Sequence, residues 1–240
     1  SFLAKPPKPF AGNGMQLRMG HIFLAASGSQ VEQEWLEQQE VNFPYESEIQ
    51  EIDGFMNQQA HHFLLFRYPD SLSATSPAAS NPASDINDMA LVSFTTHTSF
   101  DGNKNLVAGW QADNNFVLPD GTGLMWDKHT YLDMNFHTKN YNATSILPCD
   151  FYFNIYYKPR NPNTIPMISA LENNATLFLP QGIDSVDHDA GNNNNATKET
   201  RYIWNIAGHN HKYGKGFDIY LRDSTGQVSQ KIYDGTSVNP

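Results

Sequence analysis

Residues 15–24 alternate loosely between apolar and polar side chains and give way to the small-residue turn Ala25-Ala26-Ser27-Gly28-Ser29, the pattern of a strand followed by a connection. A sharper alternation comes later. Within residues 129–138 the even positions Leu132, Met134 and Phe136 are apolar, whereas His129, Tyr131, Asp133, Asn135 and His137 are polar or amphipathic. A period of two predicts a half-buried strand with His137 facing away from the core. Short apolar runs predict a strand pair at 49–52 and 61–66, and further strands at 89–96, 151–157 and 176–179. Residues 201–211 and 217–221 read as a hairpin connected through Tyr213-Gly214-Lys215-Gly216. Residues 30–39 are the best helix candidate, with few apolar anchors.

Turn chemistry divides these elements. Residues 69–88, rich in Ser, Ala, Asn and Pro, have no periodicity and read as a long loop, and 191–195 as a flexible polar one. Leu118-Pro119-Asp120-Gly121-Thr122-Gly123 is a turn cluster whose glycines permit positive φ. The most linker-like stretch of the second half is Lys158-Pro159-Arg160-Asn161-Pro162-Asn163, which sets expected domains at 1–158 and 159–240. With aromatics at 12% and prolines and glycines scattered among short apolar runs, the expected class is all-β with little helix. The second domain falls short of the ~100 residues of a small two-sheet unit, so it reads as incomplete. A continuing chain or a second polypeptide is expected to complete it.

Charge and composition narrow the partners. Fifteen basic against 25 acidic residues give a net charge of −10, which opposes a sequence-independent grip on phosphate backbones and makes nucleic acid an unexpected partner. No apolar run reaches the ~20 residues needed to span a bilayer, and the opening Ser1-Phe2-Leu3-Ala4-Lys5-Pro6-Pro7 lacks the apolar centre of a signal peptide. Cys149 is the only cysteine and forms no intrachain disulfide. Asn-Ala-Thr sequons at Asn142, Asn174 and Asn195 permit glycosylation of an exported eukaryotic chain.

The remaining chemistry lies in the histidines. His209 and His211 flank Asn210, and on an extended strand their rings project from one face roughly 6.6–6.8 Å apart, close enough to converge on an ion. A pair of surface imidazoles beside a turn is the plain alternative. His61 and His62 are adjacent, so sharing an ion requires a strand end or a bulge, and one core and one solvent imidazole is the plain reading of that pair. His129 and His137 share a face but stand roughly 26 Å apart along a strand. His21, His97, His129 and His188 have no partner at ligand spacing and read as core or surface residues. Nucleophile elbow, phosphate-binding loop, helical zinc motif and thiolate cluster are all missing from the sequence. Imidazole sites without thiolate suit copper, although zinc, iron and nickel also accept them.

The order of these pieces resembles the copper type II, ascorbate-dependent monooxygenases, the family of peptidylglycine and dopamine hydroxylating enzymes. Ala60-His61-His62-Phe63-Leu64-Leu65-Phe66 looks like its His-His pair ahead of an apolar strand. Leu118 to Gly123, followed by Tyr131-Leu132-Asp133-Met134-Asn135-Phe136-His137, looks like its glycine turn and the strand carrying a third histidine. His209-Asn210-His211-Lys212-Tyr213-Gly214-Lys215 looks like its second-domain His-x-His and Gly-Lys turn. The likeness covers nearly the whole chain. It implies two antiparallel, jelly-roll-like β-sandwich domains, with an electron-donating copper on His61, His62 and His137. A second copper, where dioxygen and substrate react, would sit on the catalytic pair His209 and His211. It also implies ascorbate or a similar reductant, a small organic or peptide-like substrate, and a secreted or periplasmic location.

Two departures count against simple transfer. The family's third ligand at the reactive copper is a methionine well after the His-x-His, whereas all seven methionines here precede His209. Its peptide-processing members carry an arginine two residues before that motif, where this chain has Ala207, so a glycine-extended peptide is a poor expectation. The competing expectation is a noncatalytic secreted module that keeps the sandwich and some ligands for surface binding or assembly.

Overall fold

The computed structural model describes residues 2–26, 31–68, 89–92, 104–111, 113–142, 144–169, 202–206, 216–223 and 225–236. The chain divides into two compact units, Ser1–Leu171 and Glu172–Pro240. All regular structure among the described residues is β, and no helix there is long and apolar enough to cross a membrane.

Ten strands build the first unit's two main layers. They are β1 (Gly14–Leu24), β2 (Val31–Asn42), β3 (Ser47–Met56), β4 (Ala60–Arg67), β5 (Met89–Val92), β6 (Asn105–Trp110), β7 (Asn114–Val117), β8 (Thr122–Trp126), β9 (His129–Asn140) and β10 (Leu147–Pro159). The short β11 (Ile165–Pro166) follows. One sheet runs β1-β10-β3-β8-β11, with β7 also on β3, and the other runs β5-β2-β9-β4-β6. Every pairing is antiparallel except β11 on β8. The first strand pairs with the last long one and the second with the next to last, and successive long strands cross between sheets. This is jelly-roll order.

Phenylalanines close the sandwich. Phe63 on β4 stacks on Phe151 of β10 in the opposite sheet at 3.7 Å between centroids, and Phe136 of β9 and Phe153 of β10 complete the cluster. All four rings are fully buried. Packing at this density leaves no room for a side chain at Gly54 of β3, where a Cβ would stand 2.6 Å from the Trp110 indole. The turn predicted at 118–123 is present: Gly121 has φ of 75°, and Thr122 donates its amide to the Pro119 carbonyl before β8 begins.

Three expectations are corrected. The helix expected at 30–39 is not formed by its described residues; 31–42 are strand β2, paired along its whole length with β9 and at 34–37 with β5. Its few apolar residues cannot cover a helical face, and the 12-residue ladder to β9 satisfies its backbone. The strands at 49–52 and 61–66 exist as parts of β3 and β4, but they lie in opposite sheets and do not pair. In the second unit, β12 (Gly216–Arg222) pairs with β13 (Val228–Thr236); of residues 201–211, expected to form the other half of a hairpin with it, 202–206 are non-strand and the rest lie outside the described residues. The loops expected at 69–88 and 191–195 and the strand at 176–179 also lie outside them, as does residue 93 onward of the strand expected at 89–96.

Residues 158–169 keep company with the first unit. Lys158 pairs with the fully buried Glu48 carboxylate at 2.7 Å, the Asn161 amide donates to Glu48 Oε2, and β11 adds to β8.

Candidate metal centre

The site starts from an irregularity in β4. Ala60 lies opposite Thr138 and His62 opposite His137, so β4 advances two residues where β9 advances one. His61 is the extra residue of this bulge. In a regular strand His61 and His62 would point to opposite faces; a bulge bends the strand and re-aims its side chains.

The result is a near-equilateral triangle of imidazoles. Ring centroids are 5.1 Å apart for His61 and His62, and 4.9 Å for each of them to His137. One ligand nitrogen from each ring lies within 4.8 Å of the others. Nitrogens bound to one ion at ~2.0–2.1 Å stand about 3.3–3.6 Å apart. Ring reorientation of about 1 Å therefore closes the set around an ion, and the residues fit a three-imidazole metal site. His137 is only 2% exposed, while His61 and His62 are half-buried, so the ion would enter from their side.

His137 does face away from the inter-sheet core, because Leu132, Met134 and Phe136 occupy the opposite face of β9. The expected half-buried character is wrong, however. Asp133, Asn135 and His137 are all at least 98% buried on the outer face. Cross-strand register surrounds them with Glu34 and Leu36 of β2 and His62, Leu64 and Phe66 of β4. Asn135 donates from Nδ2 to Glu34 Oε1 at 2.6 Å, and Lys104 makes a buried ion pair with Asp133 while lying 4.7 Å over the Phe66 ring. Burial pushes the Glu34 carboxyl above its ordinary value; the Asn135 hydrogen bond and the Lys104 charge oppose that shift without cancelling it. The alternation placed Asn135 on the same face as His137 but joined neither Glu34 nor Lys104 to it. The signal available was the unbroken apolar run Phe63-Leu64-Leu65-Phe66, which marks a strand covered on both faces.

The remaining histidines divide cleanly. His21 Nδ1 lies 2.7 Å from the buried Asp150 carboxylate, and His129 Nδ1 lies 2.5 Å from Asn42 Oδ1, so each holds a structural partner. His209 and His211, expected to form the second site, lie outside the described residues, as do His97 and His188. Cys149 sits in the core, where burial and the neighbouring Asp150 charge push its thiol up to about 12, far from thiolate ligation at neutral pH.

No family model matches the chain, and no curated protein matches it.

Proposed function

We propose that the chain is a copper-dependent monooxygenase of the ascorbate-dependent type, hydroxylating a C–H bond of a small organic or peptide-like substrate. One atom of dioxygen enters the product, and the other leaves as water with two electrons from the reductant and two protons. The observation that carries this reading is the convergence of His61, His62 and His137 through a bulge that falls between Ala60 and His62 and brings the adjacent histidines together. The sequence resemblance assigns those same three residues to the electron-donating site.

Copper, when bound, supplies one-electron chemistry. The protein's part at this centre is to hold three neutral imidazoles on two neighbouring strands, with His137 fixed in a buried face and the His61–His62 edge open to solvent. A donor set of three imidazoles suits either common oxidation state of copper. His209 and His211 would hold the second ion, where substrate is oxidised. Oxygen-dependent copper chemistry favours a secreted or periplasmic location over the cytosol.

The test is incorporation of labelled dioxygen. Copper-loaded protein with ascorbate, offered pools of small organic and peptide-like compounds, should yield products carrying one labelled oxygen. Replacing His209 or His211 with Ala should stop this while the first site stays loaded. Full copper loading with no labelled product from any pool would favour the noncatalytic binding module instead.

A further inference from the structure

We propose that Glu34 is a positioning residue of the three-histidine centre, its buried carboxylate setting the orientation of the His137 imidazole toward a bound transition-metal cation. This rests on the reading that the cluster holds a metal. Glu34 is the direct cross-strand partner of His137 on β2, and His62 is its partner on β4, so one row across the sheet carries carboxylate, imidazole and imidazole. Facing pairs in an antiparallel ladder hold their Cβ atoms about 4.5–5.5 Å apart, within reach of a glutamate side chain.

The carboxylate is also immobilised. Glu34 is 7% exposed, and its Oε1 accepts a 2.6 Å hydrogen bond from Asn135, the next outward-facing residue of β9. Burying a carboxylate is costly, and an alternating strand offers many solvated positions for an acid. Glu40 on the same strand holds such a position, its side chain 36% exposed. A ligating imidazole commonly donates its second ring N–H to a carboxylate, which fixes the ring and raises its basicity; losing such a partner typically weakens metal binding 10–100-fold.

The experiment uses the full chain carrying His209→Ala and His211→Ala, so that Cu(II) reports on this cluster alone. Cu(II) is titrated at pH 8 against a competing chelator, with the electron paramagnetic resonance spectrum and the metal-free unfolding midpoint recorded for each variant. Glu34→Gln keeps an acceptor for Asn135 but removes the charge. It should bind Cu(II) about 10–100-fold more weakly, with a changed spectrum and a metal-free midpoint that is not lowered, since the buried charge it removes is itself costly. Equal affinity and an identical spectrum overturn the proposal. If Glu34→Gln does not fold, Glu34→Asp, which keeps the charge and shortens the reach, must still weaken binding and shift the spectrum, and an unchanged result overturns the proposal equally. His137→Ala separates the two layers. Loss of the ion there with no effect at Glu34 defeats only the positioning role, whereas no Cu(II) binding by the parent, or unchanged binding by His137→Ala, defeats the metal reading and the proposal with it.

Discussion

Cys149 and Glu48 show how burial sets the chemistry of single side chains in this sandwich. The Cys149 thiol lies in the core with its ionisation pushed up to about 12. Folded protein at pH 8 should therefore resist thiol-alkylating reagents and react fully only in denaturant, a contrast read by mass spectrometry. Rapid labelling of the native chain would contradict the core placement. Glu48 shows the opposite shift. Burial alone would raise its carboxyl, but Lys158, Thr164 and the Asn161 amide outweigh that and hold it below the ordinary value. A folded value below the unfolded one gives stability that is present above the usual glutamate range, ~4.3, and lost as pH falls through the lower folded value. Glu48→Gln should lower the melting temperature at pH 7 and flatten its decline in acid. An acid limb identical to that of the parent would remove Glu48 from the linkage. Lys158 is half-exposed, so the loss should be smaller than for a fully desolvated pair.

At the scale of elements, the bulge at the head of β4 decides whether adjacent histidines form one site or two unrelated surfaces. Deleting Ala60 should restore a regular ladder, set His61 opposite the buried Thr138 and turn its ring away from His62 and His137. Copper affinity should then fall at least tenfold while the unfolding transition remains cooperative; retained affinity would show that the bulge is dispensable. Sequence alone located β1, β9, β10 and the 118–123 turn, because alternation and glycine chemistry are local signals. It stated that His61 and His62 needed a strand end or a bulge, but not which, since the extra residue is defined only by the partner strand. β2 was misread for a related reason. Its glutamates and glutamines favour helix locally, and only the ladder to β9, about a hundred residues away in sequence, makes it a strand. The buried outer face of β9 was legible only indirectly, through the apolar run 63–66 of its neighbour, because polar residues at alternate positions look solvated until Leu36, Leu64 and Phe66 are placed beside them.

For the whole molecule, all three clustered histidines belong to the first compact unit, and both strands that carry them sit inside its five-stranded sheet. A fragment of residues 1–171 should fold on its own and bind one copper with the affinity of the same site in the full chain. A fragment ending at 159 should be less stable, because it lacks β11 and the Asn161 and Thr164 contacts to Glu48. Isothermal titration and thermal unfolding of both fragments check this. Loss of copper binding by fragment 1–171 would mean that residues beyond it complete the site.

Metal analysis decides whether His61, His62 and His137 form a copper centre. The full-length protein should be purified without added metal, alone and as His137→Ala, and its copper counted by mass spectrometry. The parent should carry about two coppers per chain, one on each imidazole set, and the variant about one. Copper content that is unchanged by His137→Ala, or a parent chain that acquires no copper even when it is supplied, would contradict that assignment.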